Sequence, residues 1–463
     1  MSRQGSSTLS ADEQGRILDR LAGLENIILP ELVRQALTLT GRVNQRACPL
    51  SAEVTLWIVL AMGLLTDLPI WQVFKAARRF RCSDKTPGRS TLCEARKRLG
   101  VEPLACLHRL VVRPLATLRT PGATYKEYRW MGIDGTIFDA PDSEANAQAF
   151  GRANGGRGKG AFPQVRKVSL VELGTHVEVA MVLGGWQDSE QELARQLWDQ
   201  IPAGTLLTED RGLFSFDAWK TLSGRDDLRL LVRVKSQMVF PERTPLSDHS
   251  FLTRIYRNSH DRQRDRDGIR VRVIEYTIND PQRTGHEERH RLMTNLLDEK
   301  EYPALELIVG YHERWEVEVV FDEQKTHQDP RRAEKPAHLR SGTPDGVRQE
   351  LYALSLGHYV VRAVMFSAAT SAGLDPDRLS FTGTIQILQC RLPECDARTR
   401  ESLLDWLLRV QEEVLSGRLP ERRNRINPRV IKRKMSKWNK KQPKHRRPPP
   451  LSKTFVETVV MTN

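Results

Sequence analysis

Two aspartates stand where metal-dependent chemistry would need them, each at the end of an apolar, strand-like run. Asp134 closes the run in "WMGIDGT", and Asp210 closes the run in "LLTEDRG". Carboxylates at neighbouring strand ends of an α/β sheet lie at its rim, where ligands bind. Two such groups predict a site for a divalent cation such as Mg²⁺, which takes oxygen ligands. The alternative is that each aspartate caps the following turn.

A third candidate, Glu318, lies in the charged stretch "YHERWEVEVVFDEQK", residues 311–325. The stretch contains no Gly or Pro and predicts one helix. At about 100° per residue, five side chains share a stripe about 80° wide, while the valines are spread around the remaining circumference of the helix. The stripe consists of Tyr311, Arg314, Glu318, Phe321 and Lys325. It predicts either a carboxylate that completes a metal site between cations or a salt-bridge ladder. Asp322, beside the stripe, is a rival ligand.

The elements that must position the two aspartates are strands rich in Val, Leu and Thr. Three strand-like runs are followed by a helix, a strand, a helix and a strand, which predicts an α/β domain with a mixed sheet over 125–235. The run "IRVRVIEYTI" alternates with period two and predicts a β-rich insertion over 236–300. The core then resumes over 301–370, which contains Glu318 and a second helix.

Residues 14–118 predict an all-helical N-terminal domain. Within it, residues 75–98 hold nine basic and two acidic residues. The segment "TPGRSTLCEARKRLG" places a Pro-Gly turn and a Ser/Thr cap before a basic helix. This pattern is typical of the groove-binding helix of a helix-turn-helix unit, with Arg89, Arg96 and Lys97 as DNA contacts. An ordinary basic surface helix would give the same pattern.

Net charge is +14, and one segment supplies almost all of it. Residues 422–447 contain thirteen Lys and Arg and no Asp or Glu, which leaves the rest of the chain at +1. Region 371–463 is therefore predicted as a C-terminal helical region with a basic tail. Such a run indicates a polyanion partner, most commonly nucleic acid, with Lys432, Arg433 and Lys434 among the contacts. A solvated tail without a specific partner is the alternative.

Other features indicate a soluble protein of the reducing cytosol. The six cysteines include no CxxC pair, so neither a disulfide framework nor a zinc site is indicated. The longest apolar run, residues 54–65, is shorter than the ~20 residues that span a bilayer and predicts a buried helix. The first sixteen residues have no apolar core, so secretion is not signalled.

These residues resemble the insertion-sequence-four (IS4) family of bacterial DDE transposases. Tyr311, Arg314, Glu318 and Lys325 match the family pattern Y-(2)-R-(3)-E-(6)-K. "GIDGT" looks like the first-Asp motif of the family and "EDRGLFS" like the second, and "LMTNLLDEKEYPALELIVGYHERWEVE" is similar to the approach to its Glu helix. The resemblance covers most of residues 20–440. The four-residue signature following two strand-end motifs is specific, whereas any single motif is not.

The resemblance implies a ribonuclease-H-like catalytic domain with Asp134, Asp210 and Glu318 as the catalytic and metal-binding triad. It implies two Mg²⁺ ions, for which Mn²⁺ substitutes, and DNA-phosphate contacts from Tyr311, Arg314 and Lys325. Two metals roughly 3.5–4 Å apart activate the attacking oxygen and stabilise the leaving oxygen at phosphorus. Water would free a 3′-OH at the element's end, and that 3′-OH would attack target DNA.

The implied partners are double-stranded DNA, both transposon ends and target, and a second copy of the chain, because two ends must be joined together. No membrane partner is implied, and the expected place is the cytoplasm, at the nucleoid. Two other interpretations stay open: a DNA-binding protein without catalysis, and a metal-dependent nuclease that cuts but does not join.

Deleting residues 422–447 is expected to weaken DNA binding and flatten its salt dependence. Each phosphate that the protein no longer neutralises should reduce the slope of log K against log salt by about 0.9. Filter binding or fluorescence anisotropy at several salt concentrations measures this, with a tail of equal length carrying Gln for each Lys and Arg as the control. Unchanged binding at every salt concentration would show that the tail does not bind DNA.

Overall fold

The computed structural model describes most of the chain between residues 28 and 461. The described ranges are 28–44, 50–76, 87–155, 158–281, 286–328, 339–391, 400–420, 453 and 455–461. The basic run 422–447, with Lys432, Arg433 and Lys434, lies outside the described residues.

Within the described residues, five helices precede the first strand. They are α1 (Pro30–Leu39), α2 (Ala52–Leu64), α3 (Ile70–Ala76), α4 (Arg89–Leu99) and α5 (Glu102–Val111). Ser51 caps α2, since its side-chain oxygen accepts a hydrogen bond of 3.1 Å from the backbone N–H of Val54. Every residue of α2 from Thr55 to Leu64 is buried. The apolar run is therefore a buried helix, as predicted.

The central sheet places its strands in the order β5-β4-β2-β6-β7. Its elements are β1 (Thr124–Tyr125), β2 (Tyr128–Asp139), α6 (Glu144–Phe150), β3 (Arg152–Gly155), β4 (Gly158–Glu172), β5 (Val177–Gly185), α7 (Glu190–Arg195), β6 (Thr205–Glu209), α8 (Phe216–Ser223) and β7 (Leu228–Arg233). β2, β6 and β7 are parallel, and β4 runs antiparallel to β2 and β5. The mixed α/β sheet is confirmed, and its order fits a ribonuclease-H-like core.

The β-rich insertion extends this sheet. It contains β8 (Thr244–Pro245), β9 (Phe251–Ile255), α9 (Ser259–Gln263), β10 (Ile269–Ile278) and β11 (His290–Thr294). β11 pairs antiparallel with β7, so the order continues as β7-β11-β10-β9-β8. Backbone hydrogen bonds therefore join the insertion to the core as a sheet of twelve strands in the described part of the chain.

Residues 311–325 are helical, as predicted, but they do not form one regular α-helix. The structure has α10 (Ala304–His312), a 3₁₀ turn (Glu313–Trp315), α11 (Glu316–Asp322) and a π-helical turn (Glu323–His327). Glu323 and Gln324 are both buried. The two side chains of this widened turn therefore face the interior of the protein.

The C-terminal helices complete the core of the N-terminal ones. They are α12 (Pro344–Ser371), α13 (Phe381–Arg391) and α14 (Arg400–Ser416). Helices α1 to α5 and α12 to α14 enclose one continuous set of buried apolar residues. The N-terminal region, expected as a domain by itself, thus shares its core with helices from the far end of the chain. The sequence did not indicate this, because the pairing is between distant segments.

Helix α12 is the one described helix long and apolar enough to cross a bilayer, but 78% of its apolar window is buried inside the protein. It is the central helix of the shared core. The chain then returns to the sheet through α15 (Phe455–Thr458) and β12 (Val459–Met461). β12 pairs antiparallel with β10, and the Phe455 ring stacks on His312 at 4.3 Å between centroids.

Gly63→Ala is expected to destabilise the protein. A Cβ atom at Gly63 in α2 would lie 1.9 Å from the carbonyl oxygen of Ala353 in α12, so the two helices would have to separate. We expect a loss of about 1–3 kcal/mol, although alanine gains about 1 kcal/mol over glycine within a helix. Thermal or urea unfolding measures the change.

The matched control is Gly342→Ala, because nothing lies within 4 Å of a Cβ atom at that position. It should leave the unfolding midpoint near that of the parent protein. A Gly63→Ala protein at least as stable as the parent would contradict the close packing of α2 on α12.

Candidate active site

Asp134 and Asp210 lie side by side at one edge of the sheet. β2 and β6 are parallel, and their last paired residues are Ile133 and Glu209, so the two aspartates follow at the same level. Asp134 does not end its strand as expected, because β2 continues to Asp139 while paired with β4. It reaches the rim because β6 ends beside it.

The face of β2 that carries Asp134 packs against the helix of Glu318. A Cβ atom at Gly132 would lie 2.7 Å from Cγ2 of Val317 in α11, so glycine is what allows this close approach. Alternate strand residues point to the same face, and Asp134 is two residues beyond Gly132. Asp134 therefore faces α11, which carries Glu318.

One guanidinium joins the first and third candidate carboxylates. Arg314 Nη1 lies 2.9 Å from Asp134 Oδ2, and Arg314 Nη2 lies 3.9 Å from Glu318 Oε1. The Arg314 side chain is only 9% exposed, whereas that of Glu318 is 45% exposed. The structure thus brings Asp134 and Glu318 onto one cation beside Asp210.

The electrostatics of the site follow from its burial and its like charges. Burial raises the pKa of Asp134, the Arg314 guanidinium acts against this, and the Asp210 charge adds to the rise. Burial lowers the pKa of Arg314, but Tyr311, Asp134, Asp210 and Glu318 outweigh it and raise that pKa. A concentration of negative charge at the rim is what would hold a cation there.

Asp210 supplies the observation that tests the fit of a divalent ion. Its Oδ1 atom is buried, and no hydrogen-bond donor from the described part of the chain reaches it. A buried carboxylate oxygen without a donor is costly unless a cation meets it. Oxygen ligands from carboxylates are those that Mg²⁺ prefers. The three carboxylates therefore fit such an ion.

Asp322, the rival of Glu318, points elsewhere. Its carboxylate lies 3.4 Å from Nε2 of His327 and accepts a hydrogen bond of 2.7 Å from Oγ1 of Thr326. Glu318, by contrast, shares Arg314 with Asp134. The geometry favours Glu318 as the third carboxylate.

Two residues predicted to contact DNA have other partners here. The hydroxyl of Tyr311 is buried and donates a hydrogen bond of 3.1 Å to the backbone oxygen of Glu209, which fixes the strand end before Asp210. The Lys325 ammonium donates to the hydroxyl of Thr136, two residues beyond Asp134. Both residues therefore lie at the site, and their DNA contacts stay predictions.

The three basic residues predicted on α4 are not equivalent. Arg89 and Lys97 are exposed, and the Lys97 ammonium lies 2.7 Å from Glu94. Arg96 instead reaches α12, where its guanidinium donates to Gln349 Oε1 at 3.1 Å and to the Gly346 carbonyl at 3.0 Å. We assign Arg96 to helix packing and leave it out of the proposed DNA surface.

Sequence reasoning missed a buried ionic cluster behind the Glu318 helix. The carboxylate of Glu323 accepts hydrogen bonds from His358 at 2.9 Å and from Arg362 Nε at 3.0 Å. These groups hold the pKa of Glu323 well below its usual range, although burial acts to raise it. The available signal was His358 and Arg362, four residues apart in the mainly apolar stretch 351–366 of α12, where an unpaired charge would be costly.

A second group of the same cluster surrounds His176. Its Nε2 atom lies 2.7 Å from Glu316 and 3.2 Å from Asp377. Burial and the Arg362 guanidinium lower the pKa of His176, but Asp377 and Glu316 outweigh them and raise it to about 9. The ligand atoms of these three residues lie within 4.8 Å of one another, a spacing that a metal ion could also use. Protonation of His176 would supply a positive charge between Glu316 and Asp377.

The family models match the two parts of this architecture. Residues 18–109 match the model described as insertion element 4 transposase N-terminal, and residues 127–342 match the transposase DDE domain. The chain belongs to the IS4 family of DDE transposases. The DDE model spans Asp134, Asp210 and Glu318, so the resemblance seen in the sequence motifs is confirmed at the level of the family.

Two proteins of Escherichia coli (strain K12) are similar to this IS4-family transposase. The transposase InsG for insertion sequence element IS4 is 27% identical over 432 residues, which cover 90% of this chain and 93% of that protein. The putative transposase InsZ is 27% identical over 200 residues, 42% of this chain and 64% of that protein. The first match runs across both the helical and the DDE regions.

The stability of this transposase is expected to fall as the pH rises through the pKa of His176. The pKa rises from 6.5 to about 9 on folding, so the stabilisation is complete below pH 6.5 and is lost as pH rises towards 9. His176→Gln should flatten this dependence, which amounts to at most about 3 kcal/mol. Urea unfolding at several pH values measures it.

His260→Gln is the control, because the His260 side chain is 59% exposed. It should keep the pH dependence of the parent protein. A His176→Gln protein whose stability still falls equally between pH 6.5 and 9 would contradict a buried imidazolium.

Proposed function

We propose that this protein is a Mg²⁺-dependent DNA transposase that cleaves the ends of an insertion sequence and joins them to target DNA. The observation that carries the proposal is the convergence of Asp134 and Glu318 on Arg314, beside the buried carboxylate of Asp210. A protein that only binds DNA has no use for three carboxylates at one sheet edge. Membership of the IS4 family supports the same conclusion.

Asp134, Asp210 and Glu318 would hold two divalent ions, Mg²⁺ or Mn²⁺, which supply Lewis acidity and activate the attacking oxygen when bound. In the first step a water oxygen bonds to phosphorus, the bond to the 3′ oxygen breaks, and the freed 3′-OH takes up a proton. In the second step that 3′-OH bonds to a target phosphorus and displaces a target 3′ oxygen. One site serves both steps, because only the nucleophile changes.

The cationic residues would hold the DNA. Arg314 and Lys325 lie beside the carboxylates, where they suit DNA phosphates next to the scissile bond. Tyr311 holds the end of β6 through the backbone of Glu209. Arg89 and Lys97, exposed on α4, would contact the duplex farther away. Lys432, Arg433 and Lys434 of the tail would add sequence-independent affinity for double-stranded DNA.

The assembly we propose is a homodimer that brings two transposon ends together at the nucleoid in the cytoplasm. Joining two ends in concert requires two active sites close to each other, and isologous dimers are the commonest way to provide them. Sedimentation with and without end DNA would measure whether the dimer forms on DNA.

Asp134→Asn is expected to lower the rates of both cleavage and joining by about three orders of magnitude or more. Binding of end DNA should change little, since the substitution removes no cationic contact. The assay uses DNA with the terminal inverted repeats, Mg²⁺ and a target plasmid. Asp139→Asn, at the C-terminal end of the same strand, is the matched control and should stay active.

The same assay separates the alternatives. Cleavage without joined product would indicate a nuclease, and binding without cleavage by the unaltered protein would indicate a DNA-binding protein. Activity of Asp134→Asn near that of the parent protein would overturn the assignment of the triad.

A further inference from the structure

Glu190, the first residue of α7, places a carboxylate against Gly135, the residue that follows Asp134. A Cβ atom at Gly135 would lie 2.3 Å from Glu190 Oε1 and 2.7 Å from its Cδ atom. The carboxylate therefore rests on the backbone of the residue that follows Asp134. Any side chain at position 135 would occupy this space, so glycine is what admits the Glu190 carboxylate.

Glu190 contacts β2 just beyond the point where its pairing with β6 ends. β2 continues past this point while its last partner in β6 is Glu209. The N–H of Gly135 donates instead to Asp134 Oδ1 at 2.8 Å. Asp134 and Glu190 thus both contact the backbone at Gly135, and the loop at Asp210 begins where β6 ends.

Four carboxylates, those of Asp134, Asp210, Glu190 and Glu318, belong to this rim, and two of its cations pair with them. Arg314 meets Asp134 and Glu318, and Arg166 Nη1 lies 3.5 Å from Glu190 Oε2. The Glu190 side chain is 35% exposed and that of Asp134 is 20% exposed, so both open towards the rim. Like charges held this close favour a bound cation, since they repel one another without one.

We propose that Glu190 is a fourth carboxylate of the metal site and shares with Asp134 and Asp210 the ion nearest to β2. The proposal rests on the proposed function. Four carboxylates carry the charge that neutralises two divalent ions, whereas three leave one positive charge in excess. Gly135 is the residue that makes room for this ligand.

The test is Mn²⁺ binding to the full-length protein without DNA, measured by calorimetry or by the electron paramagnetic resonance of free Mn²⁺. Glu190→Gln is expected to weaken Mn²⁺ binding by about 10-fold or more, as loss of a group that supports a metal site does. Glu192→Gln is the matched control, because Glu192 is exposed two residues farther along α7 and loses the same charge. It should bind Mn²⁺ as the parent does.

Asp134→Asn separates this inference from the proposed function. If Asp134→Asn weakens Mn²⁺ binding and Glu190→Gln does not, the fourth ligand is wrong and the triad stands. If neither substitution changes Mn²⁺ binding, the metal site itself is wrong. If Glu190→Gln and Glu192→Gln weaken Mn²⁺ binding equally, the loss of one negative charge explains both results, and the inference is overturned.

Gly135→Ala provides a second variant that leaves every charge in place. Its methyl group would displace the Glu190 carboxylate, so Mn²⁺ binding should weaken to a similar degree. The double variant Gly135→Ala/Glu190→Gln should bind no more weakly than Gly135→Ala alone, because both changes remove one ligand. Full additivity in the double variant would show that Gly135 acts independently of Glu190 and would count against the proposal.

Discussion

The position of Glu318 depends on a buried ion pair on the far side of its helix. Glu323, just over one turn beyond Glu318, is held by His358 and Arg362 of α12, and all three side chains are almost fully buried. Removing one partner of such a pair leaves an uncompensated buried charge, which costs about 3–5 kcal/mol. The pair therefore keeps one face of the segment turned inwards and leaves Glu318 at the sheet rim.

The same helix, α12, connects the site to the N-terminal helices. Gln328, just after the π-helical turn, donates to the carbonyl of Gly63 at 2.7 Å and to that of Leu354 at 2.8 Å. α2, α12 and the end of the Glu318 segment thus meet at one side chain. A change in the position of the helical region would be transmitted to the segment of Glu318 through rigid packed elements.

The sequence was most informative where local pattern decides structure. Strand-end aspartates and the mixed α/β sheet follow from short apolar runs and the residues that end them, so Asp134 and Asp210 could be placed beside each other. The helical wheel of 311–325 placed Arg314, Glu318 and Lys325 on one side, where the structure has them, but regular periodicity contains neither the π-helical turn nor the buried partners of Glu323. Arg96 looked like a DNA contact because its partner, Gln349, is 253 residues away. Shared cores and ion pairs of this range leave no local pattern.

Strand β12 gives residues 459–461 a structural role in the sheet. β12 pairs with the last residues of β10, and Phe455 is buried against α10. A premature stop codon after residue 420 would therefore remove both the basic charges and a piece of the catalytic domain's own packing. Residues 455–461 are thus constrained by the packing of the sheet, independently of the charges that precede them.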